Sequence, residues 1–208
     1  MHSLNIYIHV AAGILALLSG FIALNSVVGS PIHVRSGKIY LSLLCFVILT
    51  GLIGIIFFNV NHFLIVITIL SGYQGFSGYR IVLHKNNQFK MLDIFITLLT
   101  LTSAVYYIIR MNNIEVIWSP VIIYGTLGYL FCIILYDFGR YFISEIKYKN
   151  IWIYEHIVKL TGSYFAIFSA FVGTVFPKWQ PFSQIIPSGL GVIIMLYFVL
   201  RQIKSKNM

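Results

Sequence analysis

Residues 31–58 read PIHVRSGKIYLSLLCFVILTGLIGIIFF, and two features of this stretch decide the fold. From Ile39 to Phe58 there is no charged side chain. A helix of about 20 apolar residues spans the roughly 30 Å hydrocarbon core of a bilayer. Lipid offers no partner to backbone N–H and C=O groups, and the run lacks the two-residue alternation of a barrel strand, so it predicts a membrane helix. The second feature is Ser30-Pro31, a helix-start signal with serine as N-cap and proline at the first helical position. The helix therefore begins at Pro31 and carries His33, Arg35 and Lys38 in its first turns. His33, Gly37 and Tyr40 share one face at i, i+4 and i+7. Arg35 and Lys38 point elsewhere, toward headgroups.

The rest of the chain has the same character. Of its 208 residues, 59% are apolar and only 9% charged, against about a quarter charged in soluble domains. The class is all-α, a polytopic membrane protein. Seven runs are long enough to span, at residues 6–28, 36–58, 63–83, 92–110, 115–136, 153–175 and 185–201. The connections are too short to hold a soluble domain, so residues 1–208 read as one seven-helix transmembrane domain. The N-terminal MHSLNIYIHVAAGILALLSGF has no basic leader, and it reads as a retained first span rather than a cleaved signal.

The formal charge of +9 would point to nucleic acid in a soluble chain. Here the basic residues lie in short connections, so no nucleic-acid partner is expected and the partner is the bilayer. Arg35, Lys38, Arg80, Lys85, Lys90, Arg140, Lys147, Lys149, Arg201, Lys204 and Lys206 fall on one side, and only Arg110 and Lys178 on the other. That asymmetry places the N-terminus outside and the C-terminus in the cytoplasm. Residues 138–152, FGRYFISEIKYKNIW, mix aromatic and basic side chains and read as an interfacial helix. Trp118, Trp152 and Trp179 fall near span ends, where aromatic belts form. Cys45 and Cys132 make no C-x-x-C and read as buried small side chains.

Polar residues inside the spans are the candidate functional groups, because they are costly there. Residues 9–13 and 33–37 both spell H-V-x-x-G. In the third run Ser71, Gly75 and Gly78 form a small-residue surface for close helix packing. Tyr73, Ser77, Arg80 and His84 form a polar stripe on that run. In the sixth run Glu155 and Lys159 are an i, i+4 pair, and Lys159, Ser163, Ala166 and Ala170 continue a stripe toward other helices. His9 and His62 fall in the outer leaflet, His33, His84 and His156 in the inner one, and His2 at the terminus.

The segments IHVAAGILALLSG, HVRSGKIYLSLL, LSGYQGFSGYR and EHIVKLTGSYFAIFSAFVG occur in that order. They resemble the landmarks of a bacterial multi-span membrane family known as domain of unknown function 2306. The resemblance rests on His9, on His33 with Gly37 and Tyr40, on Gly78-Tyr79-Arg80, and on His156 with Gly162-Ser163-Tyr164. It departs where Val34 separates His33 from Arg35, and where Lys159 stands in an otherwise apolar stretch. It implies a bacterial cytoplasmic membrane protein and assigns no activity.

Two functions of different class follow. The first is a redox or cofactor-binding membrane protein, with His9, His33 and His156 as ligands to haem b or a divalent metal. Arg80, Tyr40 and Tyr164 would then face a propionate or another anion. The second is a non-enzymatic transporter, or a binder of an anionic lipid or small solute. A zinc hydrolase using the inner histidines with Asp93 or Asp137 ranks below both, because no H-x-x-x-H pair supplies two ligands from one helical face. A purely structural partner of another membrane complex stays open.

Overall fold

The computed structural model describes residues 2–58, 62–88, 90–111 and 119–206. Among them the chain forms eight α-helices: α1 (His2–Asn25), α2 (Pro31–Phe58), α3 (His62–His84), α4 (Met91–Met111), α5 (Pro120–Gly139), α6 (Glu145–Tyr148), α7 (Trp152–Val175) and α8 (Phe182–Lys206). Six of them, α1, α2, α4, α5, α7 and α8, are long and apolar enough to cross a membrane. Large apolar side chains such as Phe21, Phe57, Phe95, Leu135 and Ile193 are exposed along these helices, as a lipid-facing surface requires. The architecture is that of a multi-pass helical membrane protein. α3 is long enough as well, but its second half, SGYQGFSGYR, dilutes its apolar character. Those polar residues are largely buried: Ser71, Tyr73, Gln74 and Ser77 all face protein.

The helix start expected at Pro31 is present, with the His33 backbone N–H donating to Ser30 Oγ at 3.2 Å. Other expectations are revised. The 138–152 segment is not one interfacial helix. It makes a 3-10 turn at Arg140–Phe142 and the single turn α6 before α7 begins, and it buries Arg140 rather than offering it to headgroups. Cys45 and Cys132 are exposed, not buried. They sit on outward faces, where a thiol meets lipid at little cost. The last helix extends past the predicted run at both ends. The start of the fifth run and Trp118 lie outside the described residues, as do the side chains of His62, Arg110 and Lys206.

The chain divides into two compact units, Met1–Thr68 and Ile69–Met208. The first is built on the α1–α2 hairpin. Ala12, Ala16, Ser19 and Gly20 form the buried face of α1, and Ser36, Tyr40, Leu44, Thr50 and Gly54 that of α2. Small residues four apart let two helix backbones approach, which is how membrane helices gain packing without a hydrophobic driving force. The second unit is organised on α7, the most buried of the six apolar helices. α3 meets it through glycine. A Cβ built on Gly78 would lie 2.7 Å from Leu160 Cδ2 and 3.1 Å from Lys159 Cβ. The leucine tip can swing aside, whereas the Lys159 Cβ is fixed to its helix.

These contacts predict opposite outcomes for two glycines. Gly78→Ala should cost about 1–3 kcal/mol through overpacking. Gly37→Ala should be neutral or slightly stabilising, because a Cβ there meets nothing within 4 Å and alanine is the better helix former. Thermal melts of both variants in one detergent check the pair.

Candidate functional site

The buried charges gather where the end of α5 meets the start of α7. Asp137, Arg140, Glu155 and Lys159 are each no more than 5% exposed. Lys159 Nζ donates to Asp137 Oδ1 and lies 3.8 Å from Glu155 Oε2. Arg140 Nη1 donates to Glu155 Oε2 at 2.9 Å, and Arg140 Nε sits 3.9 Å from Asp137 Oδ1. Tyr73 Oη, from α3, donates to Asp137 Oδ2 at 2.6 Å and also meets Thr97 Oγ1 of α4 at 3.2 Å. Tyr136 Oη donates to Glu155 Oε1 at 2.7 Å. All four carboxylate oxygens are thus engaged, and two cations balance two anions. Each buried ion costs several kcal/mol of desolvation, so only a charge-balanced set can sit here. Arg140 Nη1 also reaches Tyr148 Oη at 3.2 Å. Burial, and after it the Glu155 carboxylate, push the Tyr148 phenol above its ordinary range, so it keeps its proton.

A separate pair flanks this quartet. Arg80 Nε and Nη2 meet Asp93 Oδ1 and Oδ2 at 2.6 and 3.1 Å, a bidentate fork. Asp93 sits in the first turn of α4 and accepts the Lys90 backbone N–H at 3.1 Å, closing the helix start as a capping-box acid does. Arg80, expected to face an anionic ligand, has a carboxylate of the chain itself as that anion.

From the quartet a polar face climbs α7. Ser163 Oγ donates to the Ser71 carbonyl at 3.0 Å. Gly162 makes room for two side chains: a Cβ there would lie 2.6 Å from Gln74 Nε2 and 2.9 Å from Tyr129 Oη. Ser169 Oγ donates to the Gln184 carbonyl at 2.9 Å and accepts from Ser188 Oγ at 3.2 Å. Gln180 Nε2 donates to the Gly173 carbonyl at 3.3 Å. Glu155, Lys159, Gly162, Ser163, Ser169 and Gly173 are all buried. At 1.5 Å per residue they cover about 27 Å of helix, close to the thickness of the hydrocarbon core.

The predicted histidines occupy other places. His9 Nδ1 pairs with Thr50 Oγ1 at 2.9 Å. That hydroxyl already donates to the Phe46 carbonyl at 2.7 Å, so the imidazole is the donor. His33 Nδ1 meets the Ala23 carbonyl at 3.0 Å; a carbonyl only accepts, so Nδ1 carries the proton there too. The two H-V-x-x-G copies thus supply reciprocal clamps, each histidine bonding the other helix of the hairpin. Asn5 Nδ2, donating to the Thr50 carbonyl at 3.0 Å, reinforces the first clamp. His9 and the Ala23 end of α1 are 14 residues apart in the sequence, or about 20 Å along the axis. One ion or haem iron held jointly by His9 and His33 does not fit this hairpin. Tyr40 is buried within α2. In the second unit His156 follows Glu155 on α7. Tyr164 is buried two turns further on, its ring edge-on to Phe165 and stacked with Phe168. Among the described residues no three His, Cys, Asp or Glu side chains converge as a metal-ligating group.

The Glu155–Lys159 pair was legible as spacing, and Asp137–Arg140 was equally visible at i, i+3. That the two pairs interlock was not. Comparison with family models, curated proteins and solved structures returned no match.

Proposed function

We propose that the chain is a small transporter of the bacterial cytoplasmic membrane, non-enzymatic, whose buried quartet exchanges protons in step with movement of a small solute along α7. The observation that carries this reading is the polar face of α7, buried from Glu155 to Gly173. Ionisable groups at membrane depth pair with one another and mark ion paths and proton relays. Asp137 and Glu155 are the groups that would take up and release a proton, and Tyr73 and Tyr136 are bonded to them as relays. Lys159, bonded to Asp137 and 3.8 Å from Glu155, is the cation that the two carboxylates share.

In this reading α3 is the seventh span, its polar half shielded by protein, with the N-terminus outside and the C-terminus inside. The quartet then lies at the cytoplasmic end. After replacement of the exposed Cys45 and Cys132, a Lys85→Cys variant should be labelled by a membrane-impermeant maleimide only when the cytoplasmic face is open. Labelling from outside would reverse the orientation.

Proteoliposomes test the activity. With a pH dye inside and an inside-negative potassium potential imposed, the protein should acidify the lumen faster than protein-free vesicles do. A panel of small anions and amino acids should accelerate that uptake for the transported class. No difference from empty vesicles under any condition would remove the transporter reading.

The cofactor reading retains one supporting observation. His33 is held by Nδ1 on a backbone carbonyl, the orientation used by metal- and haem-ligating imidazoles. It predicts a Soret band or stoichiometric metal in the purified protein, abolished by His33→Ala. Colourless, metal-free protein would exclude it.

A further inference from the structure

Two connections of the second unit, 85–90 and 143–151, are fastened into one surface. Asn87, itself buried, donates through Nδ2 to the Ile143 carbonyl, and Gln88 Nε2 donates to Glu145 Oε1 at 3.0 Å. Lys85 Nζ stands 4.9 Å from the centre of the Trp152 ring, a cation–π contact that ties the end of α3 to the start of α7. Tyr148 is 0% exposed and its hydroxyl accepts from Arg140 Nη1 at 3.2 Å. The turn that carries Lys147 and Lys149 is therefore pinned inward between them.

The side chains this surface turns outward are of two kinds. Phe142, Met91 and Ile146 are 87%, 86% and 80% exposed. Lys90, Lys147 and Lys149 are exposed too, and none of them enters an ion pair among the described residues. Glu145, the acid of the same turn, already accepts from Gln88. The apolar span of α5 runs to Phe142, and those of α4 and α7 begin at Met91 and Trp152. Both connections thus lie where the hydrocarbon core gives way to headgroups. Bulk water would leave Phe142, Met91 and Ile146 hydrated, and acyl chains alone would strip the lysines of water. The boundary between the two suits both kinds of side chain. A zwitterionic headgroup brings its own ammonium, which opposes a surface of three lysines to one carboxylate. An anionic phosphodiester brings none.

We infer that this surface binds anionic phospholipid, with Lys90, Lys147 and Lys149 against the phosphates and Phe142, Met91 and Ile146 anchored at the top of the acyl chains. The inference stands apart from the proton reading. It needs the membrane-spanning helices, but no solute, no gradient and none of the four buried charges.

Trp152 is the reporter, because it sits within this surface and is partly exposed. With Trp118→Phe and Trp179→Phe it becomes the sole tryptophan. The full chain is reconstituted in mixed phosphatidylglycerol and phosphatidylcholine, and each lipid in turn is brominated on its acyl chains to quench nearby indole. Trp152 quenching should report phosphatidylglycerol enriched about three-fold or more over the bulk ratio, and the enrichment should shrink at high salt. Lys90→Gln/Lys147→Gln/Lys149→Gln should return it to the bulk ratio with an unchanged melting temperature, whereas Lys178→Gln, at the other end of α7, should leave it intact. Phe142→Ser/Ile146→Ser should weaken quenching by both lipids alike. Equal quenching by the two lipids in the starting protein, or enrichment that survives the triple variant, would overturn the anionic-lipid assignment. Quenching by neither lipid would show the surface covered by another chain and overturn it as well. Quenching unchanged by the serine variant would overturn the apolar anchor.

Discussion

Lys159→Met should be the most damaging single substitution in the chain. The methionine fills nearly the same space, so packing is preserved and charge alone changes. Asp137 and Glu155 are then left against one cation, Arg140, in a site where every one of these groups is almost fully buried. Removing one partner of a buried pair costs about 3–5 kcal/mol, because the other charge is left uncompensated. A protein of ordinary stability retains only about 5–15 kcal/mol in total. The variant should accumulate poorly and melt well below wild type. Asp137→Asn combined with Lys159→Met removes one charge of each sign and leaves the Arg140–Glu155 pair intact. The carboxamide oxygen that replaces the carboxylate can still accept from Tyr73. The double variant should recover most of the loss, a coupling of several kcal/mol in a double-mutant cycle. Additive losses would mean that the quartet is not one electrostatic unit.

Arg140→Leu ranks second. It strips Glu155 of its 2.9 Å partner and Tyr148 of its contact, leaving Lys159 to face two carboxylates. A loss of about 3 kcal/mol or more is expected, with recovery when Glu155→Gln is added. Arg80→Leu is the control. It also breaks a bidentate pair, but the Arg80 side chain is 16% exposed, and the orphaned Asp93 keeps the Lys90 backbone N–H as a partner. Its loss should be clearly smaller. Melting temperatures of the three variants in one detergent check the ranking, and a larger loss for Arg80→Leu would contradict it.

The helices were legible because length and apolar composition decide them locally. The Ser30-Pro31 start shows this best: a signal of two residues fixed the first turn of α2. Within a helix, spacing also revealed Glu155–Lys159 and the glycine seat at Gly78. What spacing cannot reveal is which helix lies opposite. Arg140 read as a loop charge because its partners, Asp137 and Glu155, lie on either side of a connection whose turns bring them together. Arg80 read as a ligand group for the same reason, its Asp93 lying on the next helix. The histidines drew attention as rare polar residues in apolar runs, yet His9 and His33 are bonded across their own hairpin. Gln74 and Gln184 went unmarked because neutral polar residues are ordinary in membrane helices until a structure shows them buried.

Proton uptake by the charge-balanced variant is the most direct measurement of the proposed role. Asp137→Asn/Lys159→Met and wild type are reconstituted at equal density, and luminal acidification is followed under the same imposed potential and solute panel. The proposal predicts a melting temperature close to wild type with proton uptake at least ten-fold slower, because Asp137, one of the two exchanging acids, is gone while the fold is kept. Uptake equal to wild type in the stable double variant would show that the quartet only fastens α5 to α7, and would contradict a role in proton transfer.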